Sequence, residues 1–493
     1  MSEYDALWQE ASGLSGRPAA TTFEFLEYHA AVNPARTALI MGDESITFEQ
    51  FHADAMRFSW AFAEWGVSRG QLVLVSHPSL YVEWLLLIAC ENVGAISASY
   101  PSADAIASTR TRERADFVFA DSASPTGGGQ AVLRMIDDGS LETVFGRSLN
   151  DVRDHPRMLL GPDEAQRLTH SSGTSSSPRA MLLRRGAQEA KLRIHRRAAG
   201  HSSETRLLVT MPFMVNSTYL LATLCLRLGA LVVVAPLTTA VCTHRITYFE
   251  ALPIALDQML RQLPRDFVKP ARLVVKVIGA PLTNQLRELA LQSLCTGISC
   301  RYATNEAWPV VLDMNADGIG TLFPGVDVRI LDDRGEEVAA GQVGRVAVRS
   351  PSMVEGYFDD PEATQAHFRD GWFLTGDLGL LLPGRRLKLE GRSDEVLNQG
   401  GLKVHPGGIE ANICTIPGVA DVAVTSVTAD GAIDDLCVAV VLDGGVDVAG
   451  VLPQIEATAS GWQRLLLKVV PALPVTAQGK LDRAALRRLF KAT

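Results

Sequence analysis

The stretch QLVLVSHPSLYVEWLLLIACENVGAISASYP, residues 71–101, decides the fold class. QLVLVSH is a short apolar run behind the turn-like GVSRG (66–70), as expected of a buried strand. YVEWLLLIACENVG is helical in character and stops near Gly94, which suits the left-handed residue just past a helix end. AISASYP is a second strand. Strand, helix and strand in that order predict a parallel sheet covered by helices. Working outward, FEFLEYHAAV (23–32) and TFEQFHADAMRFSWAFAEW (47–65) carry apolar residues at three-to-four spacing and predict helices. RLLVTMP (206–212), ALVVVAP (230–236) and ARLVVKVIGAP (271–281) supply further strands.

From about residue 320 the texture changes. VDVRILDDRGEEV (326–338) and GRVAVRS (344–350) alternate as half-buried strands do, with an Asp-Arg-Gly turn between them. They predict a small antiparallel β-subdomain at about 320–391. After LKLEGRSDE (387–395) come about a hundred residues with GGIEANICTI, VADVAVTSV, CVAVVL, a helix near 450–461 and AALRRLF. The expected architecture is α/β. A large N-terminal domain of parallel-rich sheets with helices, residues 1–391, includes the β-subdomain. A small α+β C-terminal domain, 396–493, follows it.

A chain of 493 residues is too long for one hydrophobic core, in keeping with two domains. Its 47% hydrophobic and 20% charged content reads as globular. A net charge of -9 without a Lys/Arg block argues against nucleic acid as a partner. The seven cysteines are scattered and never spaced as CxxC, which argues against a zinc site or disulfide framework and fits a reducing cytosol. The N-terminal MSEYDALWQE is acidic, with no apolar core of a signal peptide. The longest apolar run, YLLATLCLRLGALVVVAP, is broken by Arg227 and is too short to span a membrane. A cytoplasmic location is expected. SASPTGGG (122–129) is expected to be a surface loop.

Familiar chemistry is missing. There is no GxxxxGK[ST], no HExxH, no GxSxG, and no GxGxxG after a strand. LTHSSGTSSSPRAML (168–182) has five serines in seven positions and precedes a helix-like LRRGAQEAKLRIHRR. By composition it is a linker or a small anion cradle. Gly173 permits unusual backbone angles, hydroxyls and N–H groups could wrap phosphate oxygens, and Arg179 could add charge.

Four further segments give that stretch a context: RYATNEAW (301–308), GWFLTGDLG (371–379), GRSDEVLNQGGLKVHPGGIE (391–410) and PVTAQGKLDR (474–483). In order and spacing the five together resemble the adenylate-forming ligases. That superfamily holds acyl- and aryl-CoA synthetases, the adenylation domains of peptide synthetases, and luciferases. PGVDVRILD and GQVGRVAVRSPSMVEGYFDDPEAT extend the resemblance over nearly the whole chain. The layout is nearest to a stand-alone aryl or acyl acid ligase or an ATP-dependent amide synthetase.

The resemblance implies that ATP and Mg²⁺ activate a carboxylic acid to an acyl-adenylate with release of pyrophosphate, followed by acyl transfer. It implies a phosphate cradle at Ser172, Gly173, Thr174 and Ser175. Ser176 replaces the family's usual glycine there, and Arg179 its lysine, a fork instead of a point charge. It places Tyr302 against the adenine, Glu306 on Mg²⁺, and Asn305 near the α-phosphate. Ala303, where the family has glycine, would adjoin the acid. Asp377 would accept both ribose hydroxyls, with Arg392 nearby, and Gly279, Ala280 and Pro281 would edge the adenine. Asp394 would be the hinge within 392–395, making the C-terminal domain mobile. Gly401 would line the acceptor channel, and Lys480 would bridge the substrate carboxylate and α-phosphate.

The acid pocket is expected between MPFMVNSTY (211–219) and YATNE, touching Val215, Asn216, Tyr219 and Ala303. Amino-acid-activating relatives carry an aspartate in the first segment, and Val215 or Asn216 stands there. A buried ammonium without a carboxylate is costly, so a non-α-amino acid, aromatic or heteroaromatic, is expected. The resemblance leaves the acceptor open among CoA, an amine and a carrier protein. With no carrier domain expected after residue 493, loading of a separate carrier protein stays among these expectations. A catalytically weak nucleotide-binding relative is the remaining alternative.

Overall fold

The computed structural model describes residues 6–7, 9–10, 21–122, 131–152, 158, 160–171, 179–399, 402–404, 406–428, 434–458, 462, 464–475 and 481–491. Leu72–Ser76 is a strand buried along its whole length, and Leu80–Val93 is the helix that follows. Ile96–Ser99 returns parallel to the first strand, Val73 opposite Ser97. The Ser79 side chain accepts from the Val82 N–H at the helix start, and Gly94 closes its end at φ 77°. A Cβ at Gly94 would meet Met158 Cβ at 3.2 Å and Arg69 Cγ at 3.3 Å. Backbone and space both require glycine there.

Leu80–Val93 is buried from Tyr81 to Val93 because it lies between two sheets. One sheet runs Val132–Met135, Phe117–Ala120, Leu72–Ser76, Ile96–Ser99, Ala165–His170 and Ala180–Arg184, parallel except for the last pair. The other runs Gly297–Cys300, Val274–Val277, Tyr248–Ala251, Arg206–Leu208, Leu231–Val234, Thr37–Met41 and Glu44–Thr47, again parallel except for the last pair. Helices Thr22–Val32, Phe48–Glu64 and Asn216–Arg227 complete the layer between them. Arg227, which interrupts the apolar run in the sequence, is buried in ion pairs with Glu91 (3.0 Å) and Glu189 (2.5 Å). Among the described residues no helix is long and apolar enough to cross a membrane.

The β-rich part is antiparallel, in the order Val311–Leu312, Ile319–Leu322, Arg386–Arg392, Trp372–Leu382, Gly344–Arg349 and Asp327–Leu331. It shares a core with the outer face of the second sheet: Phe323, Ile330, Val346 and Phe373 cluster with Phe249 and Val275. A separate core begins at Leu397 and gathers Val422, Val424, Val438 and Val440 under helices Pro406–Cys414 and Val448–Thr458. Strands Val419–Thr428 and Asp434–Leu442 pair antiparallel, and Leu465–Val469 adds in parallel. Helix Arg483–Lys491 covers their other face through Leu486 and Phe490. The result is a large α/β body and a smaller α+β unit.

Candidate active site

The ends of the serine-rich stretch are pinned together. Ala165–His170 and Ala180–Arg184 form an antiparallel pair with His170 opposite Ala180. Just beyond it, the Ser171 N–H donates to the Arg179 carbonyl (2.7 Å), and the Arg179 N–H donates to Ser171 Oγ (2.9 Å). Ser172, Gly173, Thr174, Ser175 and Ser176 lie outside the described residues, as does most of SASPTGGG. The Arg179 guanidinium lies 5.2 Å over the Tyr357 ring and 3.9 Å from Asp360.

The 301–306 segment meets this hairpin. Asn305 Nδ2 donates to the His170 carbonyl (2.7 Å), and Tyr357 OH donates to Glu306 Oε1 (3.0 Å). Glu306 is buried, and its own carbonyl accepts from the Val354 N–H. Behind it, the fully buried Lys191 points its amine at the Asn305 carbonyl (3.4 Å). Burial pulls that amine down to about 8, with Glu306 opposing. The His170 ring hydrogen-bonds Tyr100 OH at 3.1 Å, and burial, reinforced by the Arg167 charge, lowers it to about 4.

The same segment reaches the β-rich sheet. Tyr302 OH donates to the Asp377 carboxylate, and Arg392, opposite Asp377 in the strand register, sits 3.7 Å from it. Burial raises the Asp377 carboxyl above its ordinary value, against the pull of Tyr302 and Arg392. Gly376, at φ 79°, leaves room for the Arg392 guanidinium, which a Cβ would meet at 3.2 Å.

Arg392 also pairs with Asp394 (3.0 Å), and the next residue, Glu395, pairs with Arg483 (3.0 Å). Arg483 further contacts Glu410 (3.3 Å) and donates to the Val424 carbonyl (2.8 Å). Val475 bridges Leu481, and the Asp482 N–H donates to the Pro474 carbonyl (2.8 Å). These contacts bring together the two ends of the segment that contains Lys480. Lys480 and Gly401 themselves lie outside the described residues.

The other candidates spread around this line. Gly279, Ala280 and Pro281 are exposed just past strand Val274–Val277, and Ala303, in the 301–308 motif, is exposed as well. Val215 caps helix Asn216–Arg227, and Asn216 is buried with its Oδ1 unpartnered. Tyr219, three residues further along the helix, is buried as well, its ring 3.9 Å from the Arg167 guanidinium.

Sequence reasoning missed Tyr357, Lys191, His195, Glu250 and Arg301. The one signal for them lies in helix Arg185–Ala199, whose buried face reads Gln188, Lys191, Leu192 and His195. Polar residues at the spacing of a core stripe mark something polar beneath. His195 indeed stands 3.5 Å from Glu250, and both are buried.

A family model described as AMP-binding enzyme matches residues 26–358. The chain is 26% identical to an indoleacetate–CoA ligase of Aromatoleum aromaticum, over 94% of its own length and 97% of the relative's. It is likewise 26% identical to a 3-hydroxybenzoate–CoA ligase of an Aromatoleum species, over 92% and 94%. Its fold matches ATP-bound MatB from Rhodopseudomonas palustris with a TM-score of 0.84 at 20% identity, covering 96% of this chain and 99% of that one.

Proposed function

Because the chain belongs to the AMP-binding enzyme family, the adenylate-forming ligases, we propose that it activates a non-α-amino, aromatic or heteroaromatic carboxylic acid with ATP and passes the acyl group to CoA. A carboxylate oxygen attacks the α-phosphorus, the bond to pyrophosphate breaks, and an acyl-adenylate remains. The CoA thiol then attacks the acyl carbonyl, loses its proton and displaces AMP. The observation that carries this reading is the convergence of three distant motifs. One hydrogen bond ties Asn305 to His170 at the root of the serine-rich loop, and another ties Tyr302 to Asp377. The CoA–ligase names of full-length relatives support the thiol acceptor.

The roles follow from chemistry. Asp377 is an acceptor for two ribose hydroxyls, with Tyr302 and Arg392 orienting its carboxylate. Arg179 and the hydroxyls of Ser172, Thr174 and Ser175, around Gly173, would receive the departing phosphates. Asn305 and Lys480 address the α-phosphate, and Gly279, Ala280 and Pro281 border the base. Val215, Asn216 and Ala303 border the acid. Asp394 is the pivot of the smaller unit, and Gly401 keeps the thiol channel open.

Glu306 suits Mg²⁺. It is a single hard carboxylate, and Mg²⁺ takes its other ligands from water and phosphate. The ion would neutralise phosphate charge, and Tyr357 holds the Glu306 carboxylate in place for it.

The test is ATP–pyrophosphate exchange over a panel of aryl and alkyl acids with Mg²⁺, then mass spectrometry of products with CoA and with simple amines. A CoA thioester as the product is expected. An amide formed from the adenylate with no thioester would replace CoA by an amine. No exchange with any acid would overturn the reading.

A further inference from the structure

Arg179 offers phosphate a planar fork, and a fork on a long side chain has to be aimed. Among the described residues, the contacts of its guanidinium come from one segment, residues 357–367. The Phe358 N–H ties that segment to the Ala180 carbonyl, next to Arg179 in the chain (2.7 Å). Tyr357 sets its ring 5.2 Å from the guanidinium while its OH donates to Glu306. The two ends of helix Pro361–His367 supply the rest. Asp360, the N-cap, lies 3.9 Å from Arg179 Nε, and His367, the last residue, brings Nε2 to 3.5 Å from Nη1. Seven residues separate them, close to two helical turns, so both face the same way.

The imidazole is itself set from behind. His367 Nδ1 lies 3.1 Å from the Leu374 carbonyl. A carbonyl only accepts, so Nδ1 carries the proton, and the neutral ring keeps its Nε2 lone pair for an incoming N–H. A guanidinium has donors alone, so this pairing runs in one sense. Tyr357 and Phe373 flank the ring, with centroids at 5.9 and 6.4 Å. Leu374 belongs to strand Trp372–Leu382, three residues before Asp377. A long side chain held before its ligand arrives loses less freedom on binding. Asp360 would compete with phosphate for the positive charge. A neutral imidazole holds the fork without cancelling it.

Resting on the adenylation reading above, we propose that His367 is a positioning residue for the phosphate end of ATP: its Nε2 aims Arg179 at the departing pyrophosphate and, through the Leu374 carbonyl, ties that aim to the strand carrying Asp377.

The experiment is ATP–pyrophosphate exchange, with an acid that reacts, on the wild type, His367→Leu, His367→Gln, Arg179→Ala and the double variant His367→Leu/Arg179→Ala. His367→Leu should raise KM for ATP and for pyrophosphate about 3- to 10-fold, the worth of one hydrogen bond, and leave KM for the acid within about 2-fold. His367→Gln, whose amide oxygen can stand in for Nε2, should recover most of the loss. In the Arg179→Ala background, His367→Leu should add less than about 2-fold, because the side chain it acts through is gone. If His367→Leu does not fold, His367→Phe, which keeps a ring between Tyr357 and Phe373, takes its place in the cycle. The same loss in both backgrounds would mark a purely structural role and overturn this inference. Unchanged KM for ATP and pyrophosphate in the folded His367 variant, or an equal rise in KM for the acid, would overturn it too. So would an Arg179→Ala enzyme with unchanged KM for pyrophosphate. Each of these results leaves acid activation standing. Absence of exchange with every acid tested would take down the acid-activation reading and this inference with it.

Discussion

Asp377 holds one hydrogen bond from Tyr302 before any nucleotide arrives, so its carboxylate is already aimed. Asp377→Ala should lower kcat/KM for ATP by at least about 100-fold, the cost of two charge-assisted bonds. Tyr302→Phe should raise KM for ATP only a few-fold, since it loosens the aim and keeps the charge. Initial-rate exchange kinetics at varied ATP separate the two. His170 makes a pH prediction. Its folded value near 4 lies below the ordinary 6.5, so the unfolded chain binds the proton first as pH falls. The stability it contributes is complete above 6.5 and drains away toward 4, by about 2 kcal/mol between pH 7 and 5. Urea unfolding of the wild type and His170→Gln at both pH values should show their difference narrowing by that much at pH 5. Asp377 could be singled out as a candidate in the sequence because TGD is a compact local motif. Tyr357 and Glu250 were not, because each acquires its meaning from a partner far along the chain, Glu306 and His195 respectively.

At the scale of elements, the strand–helix–strand unit at 71–101 was legible because burial on both faces leaves a mostly apolar record, broken only by a few buried polar residues such as Glu83 and Glu91. Its end signal was equally local. Gly94→Ala should cost roughly 1–2 kcal/mol, from left-handed backbone and the close approach of Met158 and Arg69. Denaturant midpoints at constant slope would show it. Helix Arg185–Ala199 was legible as a helix but not in its purpose. The spacing of Gln188, Lys191 and His195 hints at something polar beneath, but it cannot say that Asn305 and Glu250, far along the chain, supply it. The β-rich sheet was read from alternation alone, but the core it shares with the second sheet required the folded chain.

At the scale of the molecule, the large body and the small unit meet through a short series of charges. Arg483 is the most connected of them, held by Glu395, Glu410 and the Val424 carbonyl. Arg483→Ala should destabilise the small unit by roughly 1–3 kcal/mol, because two part-buried carboxylates lose their cation. Hydrogen exchange should quicken around 474–475 and 481–485 while strands such as Leu72–Ser76 keep their protection. Exchange activity should fall more than global stability does, if the small unit delivers a catalytic group.

The bond between Glu395 and Arg483 also has a mechanical meaning. Glu395 directly follows the proposed pivot at Asp394, and Arg483 lies three residues past Lys480. A turn about bonds before Glu395 carries Arg483 along as a passenger, with the ion pair intact. A turn about bonds after it would have to tear the pair apart. If the small unit turns about the proposed pivot, the clamp would act as a crank arm, confining low-cost rotation to the few bonds ahead of residue 395. In such a turn the segment carrying the lysine would be expected to swing with the whole unit.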